Sequence, residues 1–318
     1  MSTATLTAPA PSRRPATRPR GLVWSVLRLH RTALWVWLAF VVATAGFLLW
    51  LTGPAAHDAQ HQLETYGYAG VLEAASSSAT LFSFTSGAYN DLFYDPDNLI
   101  TLGGFAVALF AAGPLIGREL ENGTAQLAWT QSVSPARWLA AKLAVPACFL
   151  VLGNGLLTAL YHHLWSAHSN LLVAGITPRA LYFSLGPATV AAPLLGLALG
   201  ALIGLTVRRT LPALALSGFV YFLVYAFRGN HWPFQGRYTQ PVPTSNSWAI
   251  DTTGAKVPDP DCYLDRGCLA SHHIARFARE YLPSPDYWPR QLLETGVLLT
   301  LTALTITAAF TVVRHRAA

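Results

Sequence analysis

The chain has 318 residues, 53% of them apolar and only 11% charged, with a mean hydropathy of +0.37, where a soluble domain carries roughly 25% charged residues. A water-soluble globule of this size would lack the polar side chains to cover its surface, so much of the outside faces lipid. The net charge of +6 is almost all arginine, with lysine only at Lys142 and Lys256, and its distribution along the chain reports topology rather than a nucleic-acid partner.

Residues 1–20 are rich in Ala, Thr, Pro and Ser and are expected to form a disordered tail. Arg13-Arg14 resembles the start of a targeting signal, but no small-residue cleavage site follows the first apolar run and five more runs come after it. The stretch LVWSVLRLHR at 22–31 puts Leu22, Val23, Trp24, Val26, Leu27 and Leu29 near one broad face, with Arg28 and Arg31 toward another, the pattern of a short interfacial helix. Runs of about 20 apolar residues, enough to cross roughly 30 Å of hydrocarbon, fall at 32–51, 98–117, 143–165, 180–207, 211–227 and 291–313. None has an internal Asp, Lys or Arg, and their one carboxylate is Glu294, a turn from an end.

Basic residues sit in the N-terminal segment, between the second and third runs (Arg118, Arg137, Lys142), at Arg208-Arg209 and at Arg314 and Arg316, all on one side of a six-span path. The loop 53–97 has no Lys or Arg but holds Asp58, Glu64, Glu73, Asp91, Asp95 and Asp97. An excess of Lys and Arg marks short cytoplasmic loops. Both termini are therefore expected to be cytoplasmic, with 53–97 and 228–290 as the outer loops.

The connection 117–142 reads GRELENGTAQLAWTQSVSPARWLAAK. Asn122-Gly123 bends the chain, Thr124 is placed to N-cap a short helix over 125–130, and Ser134 caps a second helix with Pro135 at its first position. The short helix then lies along the membrane between two spans. Leu127 and Trp129 among small residues offer an apolar anchor for a groove on a partner, with charged neighbours to set the register. The alternative is a solvated loop in which Glu119 pairs with Arg118 and Trp129 lies in the headgroups, although a bare linker would be shorter.

Glu119-x-Glu121-x-Gly123-Thr124, then an amphipathic turn, Ser134, Arg137 and Lys142, resembles the membrane-spanning permease of ATP-binding-cassette (ABC) transporters of the type-2 exporter family. The interfacial helix, six spans and terminal topology extend that resemblance over most of the chain. It implies that the short helix docks on a separate cytoplasmic ABC ATPase subunit through Glu119, Glu121, Gly123, Thr124, Arg137 and Lys142, to which the apolar pattern adds Trp129. Here Pro135-Ala136 separates Ser134 from Arg137, a departure from the family's usual spacing. The resemblance also implies a homodimer, or a heterodimer with a paralogous permease, above two ATPase subunits. A phosphate-binding loop needs Gly-x-x-x-x-Gly-Lys-Ser/Thr, whereas Lys142 is followed by Leu143 and Lys256 by Val257. ATP and Mg are therefore expected on the partner, with no cofactor and no catalytic residues in this chain.

In the third span Asn154, Thr158 and His162 recur every four residues, as do Ser217, Tyr221 and Tyr225 in the fifth. Such stripes line a substrate path or hydrogen-bond between helices. Gly196, Gly200 and Gly204 form a seam for close helix packing, within the chain or between protomers. Pro146, Pro187 and Pro193 predict kinks. His57 and His61, and His162-His163 with His168, have no carboxylate or thiolate beside them, and no metal site is expected. Cys148 reads as packing. Cys262 and Cys268, in an outer loop on the oxidising face, predict a disulfide, the alternative being two free thiols.

The expected protein is an all-α, multi-pass membrane protein of the bacterial plasma membrane that exports an amphipathic substrate with ATP hydrolysed by its partner. A secondary transporter usually keeps carboxylates near the bilayer midplane, and these spans have none there. A membrane-embedded enzyme is disfavoured because His-Glu-x-x-His is absent and Ser86-Gly87 and Ser217-Gly218 lack a Gly-x-Ser-x-Gly setting. A non-transporting membrane anchor stays open as an alternative.

Overall fold

The computed structural model describes residues 19–65, 88–131, 133–168, 181–231, 237–240, 248–258, 266–280 and 284–317. Most of the tail expected at 1–20, the middle of the loop 53–97, and Cys262 lie outside them. In chain order the described helices are α1 (Pro19–Leu29), α2 (Arg31–Thr52), α3 (Pro54–Thr65), α4 (Ala88–Phe110), a π-helical segment (Ala111–Gly117), α5 (Arg118–Glu121), α6 (Thr124–Thr130), α7 (Pro135–His168), α8 (Ala188–Val207), α9 (Thr210–His231), α10 (Arg266–Ser271) and α11 (Ser284–Ala317).

Six helices are long and apolar enough to cross a membrane, and they coincide with the six apolar runs. Three extend past the runs, starting at Ala88, Pro135 and Ser284 rather than at 98, 143 and 291, because a helix satisfies its backbone whether lipid or water surrounds it. The fourth is shorter than expected. Residues 181–187 form turns, and the helix starts only after Pro187, its N-cap at φ −64°. Leu181, Tyr182 and Leu185 are buried in that turn segment. Pro146 and Pro193 stand inside α7 and α8.

Helix α8 is the most buried span and packs on α4, the π segment, α7, α9 and α11. Its small residues permit this. A Cβ on Gly204 would stand 2.8 Å from the Ala112 carbonyl oxygen, one on Gly200 would stand 2.8 Å from Ala111 Cβ, and one on Gly196 would stand 3.0 Å from the Tyr221 ring. The glycine seam thus faces the second and fifth spans of the same chain. Helix α2 leans on α7, where Trp37 Nε1 donates to the Phe149 carbonyl at 3.2 Å.

At the end of the bundle away from α6, polar contacts tie the turn segment to the spans. Gln291 Nε2 donates to the Tyr182 carbonyl, Ser184 Oγ donates to Asp97, and Tyr161 OH donates to the Phe93 carbonyl at 2.8 Å. Glu294, expected near water or a polar partner, is buried and paired with Arg228, whose guanidinium lies 4.7 Å over the Phe183 ring.

The stretch 228–290 also carries an element the apolar pattern did not announce. Strands β1 (Arg237–Gln240), β2 (Trp248–Asp251), β3 (Lys256–Val257) and β4 (Ile274–Glu280) form an antiparallel sheet in the order β1-β4-β2-β3. The β2–β3 turn is closed by Asp251 Oδ1, which accepts from Thr253 N and Ala255 N, each at 2.9 Å, with Gly254 at φ 87°. These bonds, the Thr253 hydroxyl first, hold the Asp251 carboxyl below the usual carboxylate range. Cys268, on α10, is disulfide-bonded. Cys148 is a free thiol and is exposed on α7 rather than packed.

Candidate functional site

The segment between the second and third spans is built on a tight turn. Helix α5 ends at Asn122, and Gly123 then takes φ 72°, a left-handed conformation that favours glycine. Gly123 is the N-cap of α6. Thr124, expected in that role, is the first helical residue and donates Oγ1 to the Glu119 carbonyl at 3.2 Å, closing the preceding turn instead. Ser134 does cap α7, accepting from Arg137 N at 3.4 Å through Oγ and from Trp138 N at 3.0 Å through its carbonyl.

Amphipathic packing decides which face of α6 turns inward. Ala125 is fully buried in a cluster with Leu120, Trp138 and Leu139, and Ala128 and Trp129 pack against it. Trp129, expected among the docking contacts, meets Trp138 edge to face at 5.7 Å. The outward face presents Gln126, Leu127, Thr130 and Gln131, with Leu127 59% exposed. Arg137 is exposed on the first turn of α7.

Both glutamates are held by contacts within the chain, Glu119 partly buried and Glu121 at the surface. Glu119 forms an ion pair with Lys142 and accepts from Trp138 Nε1 at 3.2 Å. Trp138 and Lys142 are four residues apart on one face of α7, which is why a single carboxylate meets both. Lys142 Nζ is also 2.9 Å from His30 Nε2, at the junction of α1 and α2. Burial, assisted by the Lys142 charge, lowers the His30 pKa to about 4, so at neutral pH its imidazole is the acceptor of a Lys142 proton. Glu119 thereby ties α5 to α7 and, through Lys142, to the junction of α1 and α2. The local pairing of Glu119 with Arg118 is not formed.

Glu121 reaches across to α9. One of its oxygens accepts from both the backbone N of Thr210, at 2.9 Å, and the Thr210 hydroxyl. Thr210 begins α9, so the carboxylate satisfies an amide that has no partner inside the helix and meets the positive end of its dipole. Glu121→Ala is expected to raise hydrogen–deuterium exchange at residues 210–213 and leave exchange elsewhere unchanged. Equal exchange in both proteins would remove this capping role. His30, Trp138 and Thr210 were not singled out from the sequence. The four-residue spacing of Trp138 and Lys142 was readable, whereas nothing local marks His30 or Thr210.

The two polar stripes lie apart from this segment. Asn154 is buried, His162 lies against Trp165 and Trp288 at 5.8 and 6.2 Å, and the stripe's Asn154 Nδ2, Thr158 Oγ1 and His162 Nδ1 find no hydrogen-bond partner among the described residues. On α9, Ser217 Oγ donates to the Leu214 carbonyl at 3.0 Å, Tyr221 packs on Phe105 at 6.0 Å, and Tyr225 is exposed. Neither stripe lines the cavity of about 1130 Å³ that opens beside the Glu119 cluster between α1, α2, α4 and α7.

The family described as ABC-2 membrane transporter related matches residues 38–229. That stretch runs from within α2 into α9 and contains α5, α6 and both glutamate contacts. No curated protein matches the chain. With six membrane-length apolar helices and a match over more than half of its residues, the chain belongs to the ABC-2 membrane transporter related family and is a membrane transporter permease.

Proposed function

We propose that the protein is the permease subunit of an ATP-driven exporter in a bacterial plasma membrane, with α6 as the helix that receives the motion of a separate ABC ATPase. The observation that carries this reading is the way α6 is mounted. It is too short to stand alone, yet Glu119 fastens its base to α7 and, through Lys142, to the junction of α1 and α2, while Glu121 fastens it to α9. A push on α6 therefore reaches several spans at once. Its outward face, centred on Leu127, supplies the apolar contact for a groove. In this arrangement both termini and α6 are cytoplasmic, ATP and Mg sit on the ATPase, and a second permease copy or a paralogue completes the pathway. Spans without a midplane charge fit an amphipathic cargo better than a strongly ionic one.

Leu127→Asp is the direct test, because the side chain is exposed and the fold does not depend on it. Pull-down of a co-expressed ABC ATPase from the same genome is expected to weaken about tenfold or more, the loss of one interface anchor. Unchanged capture would remove α6 from the interface. Cargo movement by the purified chain alone, without nucleotide, would overturn the reading as a whole.

A further inference from the structure

We propose that the cavity between α1–α2 and α4–α7 binds an anionic phospholipid from the leaflet on the α6 side. At about 1130 Å³ it exceeds the roughly 300–1,000 Å³ of small-molecule sites. Its inner wall includes Trp37, Phe40 and Phe110. From Arg31 to Phe40, α2 rises about 14 Å at 1.5 Å per residue, close to half of a hydrocarbon core about 30 Å thick. The apolar part thus has the depth of one leaflet. Leu102 is 65% exposed on the rim, so an acyl chain enters sideways from lipid.

The charge at the α6 end selects the headgroup. Glu119 is committed to Lys142 and Trp138. Arg118, the next residue toward the span, lines the same cavity, is exposed and makes no ion pair among the described residues. Two cations, Arg118 and Lys142, against the one carboxylate of Glu119 leave a net positive mouth. The guanidinium offers a planar fork matched to phosphate oxygens, and the Asn122 amide on the same rim adds a hydrogen-bond donor. An acyl chain against Phe40 and Leu102 with its phosphate on Arg118 satisfies both halves of the cavity. The chain's own N-terminal tail, which carries Arg13, Arg14 and Arg18, has the wrong charge for this mouth.

Native mass spectrometry of the full chain in a neutral detergent, with dioleoylphosphatidylglycerol or dioleoylphosphatidylcholine added, tests the proposal. Phosphatidylglycerol is expected to be retained about tenfold more tightly, the equivalent of one charge-assisted contact. Arg118→Gln, at an exposed position, is expected to bring the two lipids to within about twofold. Ala106→Phe, which fills the apolar part from an exposed lining position, is expected to weaken retention of both lipids about tenfold. Equal retention of the two lipids by the unaltered protein, or an unchanged preference in Arg118→Gln, overturns the proposal. So does displacement of the lipid by glycerol phosphate, which would mark a water-soluble phosphate site, or a disulfide between two copies carrying Leu102→Cys, which would place a second copy in the groove. Any of these results leaves the docking role of α6 untouched.

Discussion

Glu119→Ala is expected to lower the melting midpoint of the detergent-solubilised protein by about 5–7 °C, because it strands Lys142, which is 3% exposed, without its counter-charge. Removing one partner of a buried pair costs about 3–5 kcal/mol, whereas replacing both by apolar residues of similar volume is often neutral. The double variant Glu119→Ala with Lys142→Met is therefore expected to recover much of the loss. Glu119→Gln keeps one acceptor oxygen for Lys142 or Trp138 but turns an amide NH2 toward the other donor, and is expected to fall between. The same variants separate stability from coupling. The double variant restores the fold but not the charge that ties α5 to α7, so under the proposed docking role hydrolysis by the partner ATPase is expected to run with less transport. A Glu119→Ala midpoint within about 1 °C of the unaltered protein, under 1 kcal/mol at this size, would show that the ion pair carries no weight.

Gly200→Leu is expected to be the most damaging change in the spans. A Cβ there already meets Ala111 Cβ at 2.8 Å and the Ala108 carbonyl oxygen closer still. Neither neighbour is the flexible end of a side chain, so no rotamer change relieves the clash and α8 must move off the second span. Overpacking costs about 1–3 kcal/mol and occasionally more, and the upper end applies where the obstacle is backbone. Little monodisperse protein is expected, and what is recovered should melt well below the parent. Gly155→Ala is the control. An added Cβ there finds nothing within 4 Å, and alanine is favoured over glycine in a helix by about 1 kcal/mol, so this variant should melt at or slightly above the parent. If Gly200→Leu and Gly155→Ala melt alike, the close approach of α8 to the second span is wrong.

Hydrophobic run length was enough to read the six spans, since a bilayer fixes the number of residues needed and penalises charge within them. The turn at Asn122-Gly123 and the Ser134 cap were legible for a similar reason, because they are local chemistry. What could not be read is non-local. Glu119 finds Lys142 only because α7 returns beside α5, and Glu121 finds Thr210 across an interval of 89 residues. Trp129 looked like an outward anchor from its neighbours, but Trp138 on the next helix turns it inward. The sheet escaped notice because strands such as Lys256–Val257 are too short to show alternation, although Thr252-Thr253-Gly254 was a turn signal between β2 and β3.

The π-helical segment Ala111–Gly117 has a mechanical consequence for everything below it. Each residue of an α-helix turns the chain by about 100°, and a turn closed from i to i+5 holds one residue more than a turn closed from i to i+4. Pro114, inside the segment, has no N–H with which to defend either pattern. Tightening this stretch by one residue would swivel α5 about its own axis while moving it along that axis by only about 1.5 Å. Glu119 and Glu121 ride on the same short shaft, so such a twist would unlatch Lys142 and Thr210 in one stroke.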